Sequence, residues 1–376
     1  MINDCYYDSY DKKENLHFDS KVVHGALGCD PITGAVSFPI FQTSTFRHRT
    51  FDVSTGYNYS RLQNPTRQEL ERTMAILEEG TEAFAFSSGQ AANMCVFGLL
   101  KKGDHVILSD DIYGGTFRIC QDIFSGLDCE FTYMDMADLE QVEAAIRPST
   151  KLLFVETPTN PMMKVADISA LAEIAHRHHL LLVVDNTFLT PYFQKPITQG
   201  ADIVVHSGTK YLCGHNDVIA GIVVVTNQEL ADHFRLQMKS RGNGLSPFES
   251  WLILRGLKTL SLRMERHDKN AKKVVEWLRT HPKVKKLNYA GIGGMISFET
   301  DSEETVRHLL SDVKMILFAE SLGGTETLIT FPLTQTHEST PPKVREALGI
   351  NERFVRISIG IEDPEDIIAD LEQAMG

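Results

Sequence analysis

Lys210 closes the run Ser207-Gly208-Thr209-Lys210, directly after the apolar segment Ile203–His206. Two hydroxyls and a glycine come just before it. Hydroxyls and free backbone N–H groups are what a phosphate needs, and an ε-amine beside them can form an imine with an aldehyde. Asp185 ends a second apolar run, Leu180–Val184. An acid at the end of a buried strand is costly without a charged partner. A protonated pyridine nitrogen is such a partner. Ser87-Ser88-Gly89-Gln90 joins the strand-like Ala83–Phe86 to a helical stretch. Small residues there leave N–H groups free at the positive end of the helix dipole, which makes an anion cradle.

Each feature alone has an ordinary explanation: a surface lysine, a capping aspartate, a capped helix. Together they put a cradle, a carboxylate and a lysine at the C-terminal ends of three different strands. Open α/β sheets bind ligands there, and this set is what a pyridoxal phosphate (PLP) site requires. The chain has no G-x-G-x-x-G opening a helix and no G-x-x-x-x-G-K-[ST] loop, which weakens nucleotide readings.

The elements that must position these residues alternate in type. Apolar runs at Ala83–Phe86, His105–Leu108, Leu152–Val155, Leu180–Val184, Ile203–Val205 and Ile219–Val225 suit strands buried on both faces. Helical spacing fills Thr66–Glu79, Gln90–Leu100, Phe117–Phe124, Asp138–Ile146 and Ile168–His178. The pattern predicts an α/β fold with a mostly parallel sheet. A long helix, kinked or broken, is expected from Pro247 to Thr280. It is followed by strands at Met295–Phe298 and Phe354–Ile359 and helices at Glu303–Leu310 and Pro364–Met375, a smaller α+β unit. The expected division is an arm over residues 1–60, a large domain over 61–245 and a small domain over 246–376. A chain of 376 residues exceeds what one core usually supports.

The net charge of −13 opposes nonspecific binding to nucleic acid or an anionic membrane. The basic clusters Lys269–Lys273 and Lys283–Lys286 read as a solvated helix face and a solvated loop. Six scattered cysteines without a C-x-x-C pair suggest reduced thiols and no zinc site. Met1–Leu16 lacks a signal-peptide pattern, and no apolar run is long enough to span a membrane, so a cytoplasmic protein is expected.

Further motifs carry a resemblance. They are Tyr57-Asn58-Tyr59-Ser60-Arg61 with Asn64-Pro65-Thr66-Arg67, Ser87-Ser88-Gly89, Tyr113-Gly114-Gly115-Thr116 and Glu156-Thr157-Pro158-Thr159-Asn160-Pro161. Val184-Asp185-Asn186-Thr187-Phe188, His206-Ser207-Gly208-Thr209-Lys210-Tyr211, Glu320-Ser321-Leu322-Gly323-Gly324 and Arg356-Ile357-Ser358 follow in order. The chain resembles the cystathionine γ-synthase/γ-lyase family, PLP enzymes of fold type I, from about residue 20 to its end.

The resemblance implies roles. Lys210 would hold the cofactor as a Schiff base and shuttle protons. Asp185 would pair with the ring nitrogen. Tyr113 would stack on the ring and help deprotonate the incoming amine. Ser88, Gly89, Gln90, Ser207 and Thr209 would hold the phosphate, with Tyr59 and Arg61 reaching it from a neighbouring subunit. Asn160 would sit near the ring oxygen. Arg356 would clamp the α-carboxylate of a small amino-acid substrate, helped by Ser321, Asn160 and Thr336. Glu320 would meet a distal ammonium and Arg118 a distal carboxylate.

A homotetramer of dimers with shared sites is implied as well. The implied activity is γ-replacement or γ-elimination, foremost of the cystathionine γ-synthase type. Cystathionine γ- or β-lyase, then methionine γ-lyase or O-acetylhomoserine sulfhydrylase, are the alternatives; a noncatalytic PLP-binding protein and an aminotransferase are the other classes. Three departures stand out: Asn58 where an acid is common, Gln90 where methionine is common, and a short connection from Tyr289 to Gly293.

Overall fold

The computed structural model describes residues 16–338 and 341–376. Residues 1–15 of the expected arm, with Cys5 and nearly all of the Met1–Leu16 segment, lie outside the described residues. The first seven strands are β1 (Glu82–Phe86), β2 (His105–Ser109), β3 (Glu130–Met134), β4 (Thr150–Glu156), β5 (Leu181–Asp185), β6 (Ile203–Ser207) and β7 (Gly221–Val225). They form one sheet in the order β1-β7-β6-β5-β4-β2-β3. Only β7 runs antiparallel to its neighbours. The other pairs are parallel.

Helices cover both faces, which is why the strands read as continuous apolar runs. In β5, Leu182 and Val184 join a core with Leu70, Met74 and Leu77 of helix Pro65–Glu78 and Leu171 of helix Ile168–Arg177. Val183 faces the opposite core, with Phe97 of helix Gly89–Phe97 and Phe234 of helix Gln228–Arg241. Each such buried aliphatic side chain contributes roughly 1.5–3 kcal/mol.

A second sheet holds β8 (Val284–Asn288), β9 (Met295–Thr300), β10 (Leu317–Phe318), β11 (Leu328–Thr330) and β12 (Phe354–Ser358), in the order β10-β11-β12-β9-β8. Its core takes Val274 and Leu278 from helix Leu260–Thr280, Leu309 from helix Glu303–Asp312, and Leu371 from helix Pro364–Met375.

The structure departs from the sequence expectations in a few elements. The expected long helix is two, Pro247–Leu257 and Leu260–Thr280. Arg263 caps the break, donating to Gly256 O at 2.8 Å and to Thr259 Oγ1 at 3.1 Å. β3 is an edge strand whose sequence, Glu-Phe-Thr-Tyr-Met, alternates in polarity, so it shows no apolar run. Lys283–Lys286 is not a loop: Lys285 and Lys286 lie exposed on the edge strand β8. Lysines there discourage pairing with another sheet. The Tyr289–Gly293 connection is a tight β8–β9 turn, pinned where Gly293 N–H donates to Asp268 Oδ1 at 3.0 Å.

All five described cysteines are free thiols. Among the described residues, no helix is long and apolar enough to cross a membrane.

Candidate active site

The strand ends converge on one cavity of about 270 Å³. Ser88, Gly89, Gln90, Tyr113, Asn160, Asp185, Ser207, Thr209, Lys210, Glu320, Ser321, Thr336 and Arg356 all line it. The order of the sheet explains this convergence. Parallel strands β1, β6, β5, β4 and β2 end on one side, so the residues that follow them meet there.

Polar partners differentiate the lining. Lys210 Nζ donates to Ser321 Oγ at 2.7 Å. Burial, with the Arg356 charge adding and Glu320 opposing, pulls this amine down to about 8. Asp185 Oδ1 accepts from Thr187 N at 3.0 Å and from Thr187 Oγ1 at 2.5 Å. Burial raises the Asp185 carboxyl above its usual range, while the Thr187 hydrogen bonds and the nearby His206 hold it back. Arg356 is buried at the far wall. It donates to Asn160 Oδ1 at 3.0 Å, Ser321 O at 2.7 Å and Thr330 Oγ1 at 3.0 Å. Its Nε is buried without a partner among the described residues. Ser321 itself sits at φ 89°, a costly conformation for a residue with a Cβ.

At the cradle, Ser207 carries its hydroxyl beside Gly89: a Cβ on Gly89 would stand 3.5 Å from Ser207 Oγ. The Gly89 and Gln90 amides open a helix and have no intrahelical partner. Ser88 and Thr209 also line the cavity, but their hydroxyls already work within the fold. Ser88 Oγ caps the helix through Ala91 N at 3.0 Å, and Thr209 Oγ1 takes Ala220 N at 3.0 Å. Gly221 is required here. A Cβ on it would lie 2.2 Å from Ser88 O, which would push β7 away from the cradle.

Three of the expected site residues do not line this cavity. Arg118 is exposed at the end of helix Gly114–Arg118. Tyr59 is exposed, and Arg61 lies over its ring at 5.7 Å and is bonded to Lys239 O.

Asn93, Glu156 and Thr187 are polar lining residues not among those expected from the sequence. Glu156, at the end of β4, accepts from Tyr113 N at 2.9 Å and from Asn160 N at 2.9 Å. It thereby orients two other lining residues. Burial, reinforced by the Asp185 charge, drives its carboxyl well upward. The signal that singles out Asp185, an acid closing a buried apolar strand, is present at Glu156 as well.

A model of the Cys/Met metabolism PLP-dependent enzyme family matches residues 19–376. The chain belongs to that family. Cystathionine γ-lyase of Bacillus subtilis (strain 168) is 48% identical over 370 residues, covering 94% of this chain and 98% of the relative. Cystathionine γ-synthase of Haemophilus influenzae is 48% identical over 357 residues, 95% and 97% of the two chains. The crystal structure of cystathionine γ-lyase from Lactobacillus plantarum, complexed with L-serine, superposes with a TM-score of 0.93 at 42% identity, covering 96% of this chain and 98% of that one. The enzyme therefore has the PLP-dependent fold type I and acts on sulfur amino acids with PLP.

The residues present fit the cofactor. The raised carboxyls of Asp185 and Glu156 neighbour one another at the cavity. A cation delivered there, such as a protonated ring nitrogen, would relieve both. The free cradle amides and the Ser207 hydroxyl suit a phosphate.

Two outcomes follow for this enzyme. A Cβ at Gly115 would stand 2.5 Å from Gln90 Nε2 and 2.6 Å from Tyr113 Cε1. Overpacking of this kind costs about 1–3 kcal/mol. Steady-state kinetics of Gly115→Cys should therefore show kcat/KM lowered about tenfold. Adding Gln90→Ala, which removes the Gln90 clash but not the Tyr113 one, should recover part of the loss.

The second concerns Lys210, whose amine is neutral only above about pH 8. In cofactor-free protein, labelling of Lys210 by an amine-selective reagent should rise about tenfold per pH unit and level off above that pH. Peptide mass spectrometry reads the label.

Proposed function

We propose that the enzyme catalyses γ-replacement of the cystathionine γ-synthase type, joining an O-acylhomoserine to cysteine to give cystathionine and a carboxylic acid. The observation that carries this reading is the pairing of Arg356 and Glu320 in one cavity. A guanidinium suits the α-carboxylate of the first amino acid. A carboxylate at the rim suits the ammonium of the second.

When bound, PLP supplies an electron sink that acidifies the protons next to the amine-bearing carbon. The rest falls to the chain. Arg356 fixes the α-carboxylate, and Asn160 and Ser321 hold the guanidinium in place. Asp185 keeps positive charge at the ring-nitrogen position. Tyr113, 41% exposed at the cavity mouth, takes a proton from the incoming ammonium. The Lys210 amine, once neutral, takes the proton from Cα, passes it on, and takes a second from Cβ, which expels the acyl carboxylate from Cγ. Its low pKa suits that exchange near neutral pH. The thiol of cysteine, giving up its proton, then forms the new C–S bond at Cγ, and Lys210 returns protons to Cβ and Cα. From cystathionine, where cysteine leaves Cγ and no thiol adds, the same residues perform γ-elimination: a proton goes to Cγ, and water releases ammonia and 2-oxobutanoate.

The test is a panel of O-succinylhomoserine, O-acetylhomoserine, cystathionine, methionine and cysteine, read by product identity. Cystathionine formed from an O-acylhomoserine and cysteine is the expected result. Ammonia and 2-oxo acid from cystathionine, with no product from the esters, would replace the reading with a lyase.

The same reading places residues 1–60 as an arm toward a second subunit, 61–245 as the PLP-binding domain and 246–376 as the small domain. Tyr59 and Arg61 then serve the neighbour's phosphate within a homotetramer. On this arrangement Arg61→Ala raises the PLP dissociation constant about tenfold, the loss of one charge-assisted contact. Equilibrium dialysis measures it.

A further inference from the structure

Behind the cavity, on the far face of the sheet, lies a buried charged group that the chemistry above does not use. Glu78 is the last residue of helix Pro65–Glu78 and is fully buried. Two costs attach to it. A buried carboxylate loses its hydration, and a negative charge opposes the dipole at a helix C-terminus. A residue kept against both has structural or functional work to do.

Its partners show what that work is. Glu78 Oε1 accepts from Asn186 Nδ2 at 3.0 Å and lies 2.6 Å from His206 Nε2, both side chains being fully buried. Asn186 follows Asp185 directly, and His206 precedes Ser207 directly. The Asn186 amide is further fixed by Gln194, whose carbonyl accepts from Nδ2 at 2.8 Å and whose Nε2 donates to Oδ1 at 3.1 Å.

The position matters because the backbone ladder between β5 and β6 is running out. Its last paired residues are Asp185 and Val205, and the final backbone bond is Asn186 N to Val205 O at 2.9 Å. Beyond that point only side chains keep the two strand ends in register. On the cavity face Thr187 does so, accepting from Ser207 N at 2.8 Å while donating to Asp185 Oδ1. On the opposite face Glu78 does so through Asn186 and His206.

We infer that Glu78 is a positioning residue for the cofactor seat: by clamping Asn186 and His206 together from the back of the sheet, it fixes the spacing between the Asp185 carboxylate and the Ser207 hydroxyl. This rests on the proposed roles of those two residues. The clamp also keeps the His206 imidazole beside Asp185, where it is one of the influences that oppose the effect of burial on that carboxyl. Sites of this kind lose function when the supporting shell is loosened, although every contacting group is still present.

The test compares PLP dissociation constants by equilibrium dialysis and the wavelength of the bound cofactor's visible band. Thermal unfolding of the cofactor-free proteins serves as a fold control. Glu78→Ala is expected to weaken PLP binding about tenfold, the consequence of leaving buried partners unpaired, and to shift the visible band. Glu78→Gln keeps an oxygen for Asn186 and His206 and is expected to stay within about threefold of the parent. In the loaded enzyme, KM for the amino acid should stay unchanged, because Arg356 sits on β12 of the other sheet.

A folded Glu78→Ala protein with parental PLP affinity and an unshifted band overturns the inference. If Glu78→Ala does not fold, Asn186→Ala replaces it, with the same expectation and the same overturning result. Asp185→Ala is run alongside. If it weakens PLP binding while the Glu78 and Asn186 variants do not, the clamp is wrong and the seat stands. If it leaves binding unchanged, the seat falls and the clamp with it.

Discussion

Replacing Lys210 by alanine is expected to lower kcat/KM by about 10⁴-fold, the upper range for losing a positioned proton-transfer group. The size follows from geometry. Among the described residues, Lys210 supplies the one amine lining the cavity, and it is held on Ser321 at 2.7 Å. Its neighbours cannot take over its work. Arg356 keeps its proton, since burial brings it down only to about 10. The Asp185 and Glu156 carboxyls are committed to Thr187, Tyr113 and Asn160. PLP should still bind through the cradle and Asp185. The variant therefore separates cofactor retention from turnover. Product assays give the rate. Borohydride treatment followed by mass spectrometry should add the cofactor's mass to the parent protein at residue 210 and nowhere on the variant.

Replacing Arg356 by lysine is the second large effect. Lysine keeps the charge but loses the planar fork. In the structure that fork is spread over Asn160, Ser321 and Thr330. A single ammonium cannot satisfy three fixed acceptors and a carboxylate at once. Disturbing a desolvated charge of this kind costs about 3–5 kcal/mol, so kcat/KM should fall about 10²- to 10⁴-fold. The visible absorbance of the bound cofactor should remain, because Arg356 does not belong to the cradle. An equal loss for substrates with and without an α-carboxylate would show that the guanidinium does not act on that group.

Much of this protein is legible in short stretches of its sequence. Lys210, Asp185 and the Ser88-Gly89 cradle each follow an apolar run, and such runs are strong evidence of buried strands. Glu156 obeys the same rule, although its place at the head of a longer motif masks the signal. β3 gives no such signal, because an edge strand is covered on fewer sides and so need not be apolar throughout. The break at Lys258–Thr259 depends on Arg263 capping carbonyls across a turn, a contact that helical periodicity does not encode.

The division between hydroxyls that face the cavity and hydroxyls that hold the fold is likewise invisible in the sequence. Ser88, Ser207 and Thr209 are alike there. Only the approach of Ala91 and Ala220 gives two of them a second partner within the fold.

The order of residue types along the chain determined the α/β class, the cofactor chemistry and the lysine proposed to bear the cofactor, since strand burial and imine formation depend on short stretches. Tertiary structure alone decided which distant groups meet. Arg356 reaches Asn160 across 196 positions, and Glu78 reaches His206 across 128. Such contacts arise from the packing of sheets and helices in three dimensions, and the spacing of residues along a chain carries no record of it.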